Sequence, residues 1–381
     1  MQLTADVVIV GGGVIGCSTA YYLAKHGVRN VAVVEMTEVG AGSSSKSAAM
    51  LSLQFCRDAL SVQMAKYSYA EYMYFEDEIG VPTDFRKIGW LYVATEESAA
   101  TLRQQASLLQ AHEVATEVLS PDEVQTRYPE LNTEDIILGT FGPDDGPFDP
   151  HMIMSGYIKR AKQLGVTLYE GAQVLDVVLE GGRVTAVVTN KGIISTRVVV
   201  NAAGPWAAQV GQLVGAQIPL LNSARTIVVT NPIAAIPSDY PFVEDLSTEW
   251  YFRPEMDGVL MGMGAGQVDR PNVELDQDQI ADIIETAVHR VPALSQASLL
   301  TAWTGVRPLT PDGHPFVGSY AGIDGFILNC GWGGVGIIMA PIAGQLVAEC
   351  VTQGEMRTID GSALSPDRIG LNAGRRGYIG E

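Results

Sequence analysis

The sequence predicts an α/β unit built on a parallel sheet, joined to a mixed α+β unit, and three observations predict it. The first is an apolar run, Val7 to Val10, that enters a glycine turn at Gly11, Gly13 and Gly16. It continues as a helical stretch to Lys25 and reaches a second apolar run ending on Glu35. The second is a change to mixed strand and helix patterns near residue 87 and again near residue 221. The third is another glycine turn, Gly331-Trp332-Gly333-Gly334-Val335-Gly336, between a strand pattern and an apolar helical one opening at Ile337.

The first turn, with a strand before it, a helix after it and an acid closing the next strand, is a βαβ dinucleotide signature. Gly11 permits the tight turn, Gly13 lets backbone approach a pyrophosphate, and Gly16 lets the helix pack on the strand. Val14 and Ile15 open a helix whose free N–H groups suit phosphate. Glu35, followed by Met36, is placed to accept hydrogen bonds from the 2′ and 3′ hydroxyls of an adenosine ribose. NAD and FAD both remain open on this pattern.

A small polar loop follows, with Ser43, Ser44 and Ser45 leading into Ala48, Ala49 and Met50. Its hydroxyls and small residues suit close contact with a cofactor, and a merely flexible serine loop is the competing reading. Residues 57–78 read as one helix, Gly89 to Thr95 as a strand, Ser98 to Gln110 as a helix, and Ser120-Pro121-Asp122-Glu123 as a capping-box start. Asp149 is expected to cap a helix from Pro150 towards Leu164. Three strand patterns then form a meander: Val174 to Leu179, Val184 to Thr189 and Ile193 to Val200. The last of them exits through Asn201-Ala202-Ala203-Gly204-Pro205-Trp206, small enough for backbone to return to the dinucleotide. Ala224 to Thr230, Trp250 to Arg253 and Val259 to Met263 read as strands, under a helix from Asp276 to Arg290 with Ile280, Ile283, Ile284 and Ala287 inward. Such a sheet can roof a cofactor. Tyr251 either points at that roof or simply packs within the sheet.

Near the C-terminus, Trp303 to Pro315 is read as a rigid, proline-punctuated segment containing Gly305 and Arg307. The arginine's planar fork suits bidentate binding of a carboxylate. The second glycine turn is a poor second dinucleotide site, because no strand ending in an acid follows it. A helix N-terminus stabilises the negative charge that reduced flavin carries, so two such turns fit one FAD, and the cofactor expected is FAD rather than NAD.

Composition bounds the function. A chain of 381 residues, 47% hydrophobic, is long enough for about two domains. Its net charge of −19 argues against nucleic-acid backbones and anionic membrane surfaces as partners. Four cysteines, Cys17, Cys56, Cys330 and Cys350, neither pair as metal ligands nor suffice for a disulfide framework, and the five histidines do not cluster, so no metal and a cytoplasmic location are expected. The first strand pattern begins too close to Met1 for a signal peptide. Phe326 to Val347 is apolar but broken by glycines and Pro341, and is not expected to span a membrane.

The order of VVIVGGGVIGCSTAYYLAKHG, SSSKSAAML, PDDGPFDPHMI, VVVNAAGPWA, VRPLTPDGHPFVG and NCGWGGVGIIMAPIAGQLVAE resembles the FAD-dependent D-amino-acid oxidase superfamily. The likeness is greatest to the branch of glycine oxidase, sarcosine oxidase β subunits and dye-linked proline dehydrogenases. The resemblance implies a glutathione-reductase-like FAD domain assembled from residues 1–86, 149–220 and 301–364. A substrate domain would come from 87–148 and 221–300, and residues 365–381 would form a tail. It adds Val174 to the cofactor-side positions and carries the substrate-carboxylate arginine onto Arg307 and an active-site tyrosine onto Tyr251. Glycine oxidase has a second arginine where this chain has Gly334, and no cysteine lies near Trp303 for covalent attachment, so noncovalent FAD is implied. The activity implied is oxidation of the C–N bond of a small amino acid or secondary amine of glycine, sarcosine, proline or D-amino-acid type. Hydride passes from Cα to flavin N5, the imine hydrolyses to a 2-oxo acid, and the electrons pass to O2 or to another acceptor. Some relatives are heteromeric, so homo- or hetero-oligomers are compatible. An FAD-linked 2-hydroxy-acid dehydrogenase and a noncatalytic flavoprotein assembly factor are the alternatives.

Overall fold

The computed structural model describes residues 3–368. Valine-rich runs buried on both faces form a six-stranded sheet in the order Phe316–Ser319, Phe326–Cys330, Val198–Asn201, Val7–Val10, Val31–Val34, Thr167–Tyr169. All neighbours are parallel except the first pair. Continuous apolar strands mean that both faces are covered. One face packs on helices Val14–Lys25, Ala59–Met73, Pro150–Gln163 and Gly336–Gln353. The other packs on helix Ala207–Gln212 and on a small sheet in the order Leu3–Thr4, Gly192–Ser195, Arg183–Thr189, Val174–Glu180.

The helix Gly336–Gln353 is long and apolar enough to cross a membrane, yet two thirds of it is buried inside the protein. Gly344 lets it lie against the first helix, since a Cβ there would stand 2.5 Å from Ser18 Oγ. Pro341, inside the helix, cannot donate to the Ile337 carbonyl four residues back. The Tyr72 hydroxyl donates to that carbonyl instead.

Three elements differ from expectation for local reasons. The strand predicted over 193–200 is two strands in different sheets, because the Thr196 hydroxyl donates to Val198 O and accepts from Val198 N, turning the chain between them. The helix predicted over 57–78 begins after Asp58, whose side chain accepts from Ser61 N in a capping box, and breaks at Tyr74 into Ala59–Met73 and Phe75–Ile79. The expected segment around Arg307 is a strand, Leu299–Leu309. It lies at a sheet edge, where Pro308 leaves a partner without a donor at little cost. Of the predicted tail, Pro366–Arg368 forms a short turn in which Arg368 Nε donates to Asp312 Oδ2 at 2.7 Å, and 369–381 lie outside the described residues.

That edge strand opens an eight-stranded sheet in the order Leu299–Leu309, Leu221–Thr230, Gly258–Val268, Trp250–Glu255, Phe242–Asp245, Trp90–Ala94, Leu138–Gly142, Glu117–Leu119. The division drawn at residue 301 therefore falls inside a strand. Alternation sorts the two faces. Leu91, Val93, Val243, Trp250, Phe252, Val228, Val259 and Met261 form a core with the helix Gln277–Arg290. Ile280, Ile283 and Ala287 of that helix point inward, but Ile284 is 39% exposed. The buried stripe turns instead towards Gln279, whose Oε1 accepts from the Thr226 hydroxyl.

At the end of this helix Arg290, 2% exposed, donates to buried Asp245 at 2.6 Å and to Asp135 at 2.7 Å. Removing one partner leaves a buried charge uncompensated. Arg290→Met is expected to lower unfolding free energy by about 3–5 kcal/mol, read as a lower denaturant midpoint at unchanged slope.

Candidate active site

The other face of the large sheet looks onto the glycine turns of the smaller one, and between them lies a cavity of about 810 Å³. Every residue singled out from the sequence lines it except two. Gly16 stands behind the wall, where a Cβ would lie 1.9 Å from Gly11 O, so its part is the close packing of helix on strand. Ser45 is the other, and its place in the loop is taken by Ser43 and Ser44. The Ser44 hydroxyl accepts from Val14 N at 3.0 Å, and that of Ser43 donates to Val306 O.

The floor suits an extended dinucleotide. Gly11 has φ +110°, and a Cβ on it would come within 2.5 Å of Ala202 O. The N–H groups of Gly13 and Ile15 at the start of the helix meet no acceptor among the described residues. Glu35 directs Oε2 onto Gly12 N at 2.7 Å and Oε1 onto Thr37, which fixes its carboxylate at the cavity wall. Asn201 shapes the exit turn, donating to Ala207 O and accepting from Ala203 N. Trp332 is anchored by donation to Asn329 Oδ1 at 2.8 Å, and Asn329 in turn donates to Thr19 and Ala343. Ala49 is held at φ +51°, a left-handed conformation that a non-glycine residue adopts only under constraint.

The roof is aromatic and charged. Trp90, Phe242 and Tyr251 pack in series, the first pair tilted and the second stacked, with ring centroids 4.1 and 5.4 Å apart. Tyr251 leans over Gly262, where a Cβ would lie 2.5 Å from the tyrosine oxygen. Its hydroxyl has no protein partner among the described residues and borders the cavity, which decides between the two readings of this residue. Burial raises its pKa against the opposing pull of Arg307 and Arg225.

Arg307 is half-buried and borders the cavity. Its guanidinium packs over Gly334, whose absent Cβ would stand 2.8 Å from Cζ. A side chain at 334 would make the Arg307 guanidinium shift from this pose. Among the described residues no carboxylate forms a salt bridge with Arg307, whereas its neighbour Arg225 is paired with Glu249. Burial and Arg225 both push its pKa down.

The sequence did not single out Arg225, Tyr92, Phe242 or Glu244, all of which line the cavity. Burial raises the Glu244 carboxyl to about 7, against Arg307, Arg225 and Arg57, which lower it.

The family described as FAD dependent oxidoreductase (DAO) matches residues 6–350. The chain belongs to this family. It is 29% identical over 388 residues to mitochondrial dimethylglycine dehydrogenase of Rattus norvegicus, covering 96% of this chain but 45% of that protein. It thus spans about half the length of that relative. Among solved structures it is similar to L-proline dehydrogenase from P. horikoshii, with a TM-score of 0.89 at 26% identity, covering 98% of this chain and 100% of that one. It is similar also to glycine oxidase from Geobacillus kaustophilus, with a TM-score of 0.85 at 26% identity, covering 96% and 98%. The open N–H groups, the glycine-lined floor and the volume fit FAD, held by the Gly11–Ile15 turn, Glu35, the Ser43–Ser44 loop, Ala202–Gly204 and the Gly331–Ile337 turn. No cysteine lines the cavity except Cys330.

Gly27 also has positive φ, +85°, but nothing lies within 4 Å of its missing Cβ. Gly11→Ala is therefore expected to yield folded protein without visible flavin absorbance, while Gly27→Ala keeps the flavin. Absorbance after gel filtration distinguishes them.

Proposed function

We propose that this protein oxidises the C–N bond of a small amino acid or secondary amine bearing a carboxylate. The reading rests on one observation: a half-buried guanidinium, Arg307, that borders the cavity without a salt-bridge partner among the described residues. A guanidinium held at an enclosed wall without a counter-charge favours an incoming anion, and a carboxylate matches its fork. FAD, when bound, supplies the two-electron acceptor for the C–H bond being broken.

The residues of the chain do the rest by placement. Arg307 fixes the carboxylate, and the Tyr251 hydroxyl, with its ring stacked on Phe242, is a further polar group on the cavity wall. The aromatic row from Trp90 to Tyr251 excludes water from the reacting carbon. Holding a small substrate in one pose is where most of the rate enhancement comes from. The imine that results hydrolyses to a 2-oxo acid and an amine. The names of the relatives, which speak of dimethylglycine, proline and glycine, support a small substrate with nitrogen next to the carboxylate-bearing carbon.

Anaerobic mixing of the FAD-loaded protein with glycine, sarcosine, dimethylglycine, proline, D-amino acids and lactate tests this. Bleaching by at least one amine and none by lactate is expected. Bleaching by lactate alone overturns the reading in favour of a hydroxy acid. Arg307→Ala is expected to raise the KM of the substrate so found by about 30-fold or more, the loss of a buried charged contact. Repeating the assay in air separates an oxidase from a dehydrogenase.

A further inference from the structure

A small amino acid enters as a zwitterion, and Arg307 accounts for only its negative end. Strand register places a second ionisable group on the same wall of the cavity. Trp303, Ile227, Gly262, Tyr251, Glu244 and Tyr92 are successive partners across the large sheet and so share one face. Arg307 lies four residues beyond Trp303 on the edge strand, hence on that face too. Glu244 is thus a carboxylate between two tyrosines, bordering the same cavity as Arg307.

No salt bridge holds Glu244 among the described residues. The groups that face it are Arg307 and Arg225 from the two outer strands, Arg57 from the segment before helix Ala59–Met73, Glu249 from the turn before Tyr251, and Tyr92. The three arginines favour the anion; burial and Glu249 disfavour it, and burial wins. Its acid form is therefore a stable resting place for a proton near neutrality.

We propose that Glu244 accepts the proton of the substrate ammonium. This rests on the reading of the preceding subsection. The N–H bond breaks, its electron pair stays on nitrogen, and an O–H bond forms on the carboxylate. Nothing is oxidised in this step. The neutral amine then holds the lone pair needed to expel hydride from carbon, and Arg307 keeps the carboxylate as its counter-ion. The site thereby selects amines whose nitrogen still carries a proton when bound, which excludes quaternary ammonium compounds.

Two measurements on the FAD-loaded protein test it. In anaerobic single turnovers, kcat/KM for reduction in the wild type rises with pH through an ionisation at about 7. Glu244→Gln removes that limb, leaves a rise only where the substrate amine itself loses its proton, and lowers the rate at neutral pH by about 100-fold. Glu244→Asp restores the limb at reduced rate. A limb that persists unchanged in Glu244→Gln overturns the proposal. Calorimetric binding gives the second readout, using 2-aminoisobutyrate, which has no Cα hydrogen to lose, and its amine-free counterpart isobutyrate. Glu244→Gln is expected to weaken the first by about tenfold and leave the second within about twofold. Equal effects on both ligands, or none on either, overturn it. If wild type binds neither, the carboxylate clamp itself fails, a result distinct from an intact clamp that ignores Glu244.

Discussion

The packing of Arg307 over Gly334 is the contact on which the site depends. Arg307 belongs to the edge strand of the large sheet, and Gly334 to the turn that opens the last helix behind the small sheet. Their approach is possible only because one partner has no side chain. It brings the guanidinium to the mouth of a helix N-terminus, two sources of positive potential in one enclosed space. Such a space is costly until an anion enters it. The Ser43 contact with Val306 and the Trp303 Nε1 contact with Lys46 O tie the same edge strand to the serine loop, so the arginine is braced on both sides.

The large sheet does two jobs by simple alternation. Its outer residues, Val243, Trp250 and Phe252 among them, make a dry core with the covering helix, and the intervening residues Phe242, Glu244 and Tyr251 face the cavity. A strand shifted by one residue would exchange the two sets, putting Glu244 in the apolar core and Val243 over the substrate. The buried Arg290–Asp245 pair lies on the core face of the same strand, and it opposes that slip by fixing Asp245 to the helix.

The small sheet and its glycine turns were legible in the sequence because their signals are local. Gly11, Gly16 and Glu35 fall within one continuous stretch, and the spacing alone constrains where each can go. Asp149 and Ser120 were readable as caps for the same reason, and both side chains accept from the backbone as their positions require. That a sheet roofs the site was legible, but its strand pairing and most of its lining were not. Glu244 meets Tyr92, about 150 residues away in the chain, through parallel pairing that no local pattern announces. The Leu299–Leu309 strand was obscured by its proline and glycine, which read as irregular until an edge position makes them acceptable. Arg307 and Tyr251 were singled out from their own segments, and family likeness supplied their implied roles. The physical reason for Gly334 emerged only with the guanidinium in place.

Pro341 gives the last helix a seam one turn from its start. The turn bearing Gly331 to Gly336 is hooked through the Ile337 carbonyl to a phenol on a different helix rather than to its own next turn. The mouth of this helix is thereby registered against Ala59–Met73, and a tyrosine outside the cavity lining acts as the peg that sets how far the Gly331–Gly336 end of the groove can drift.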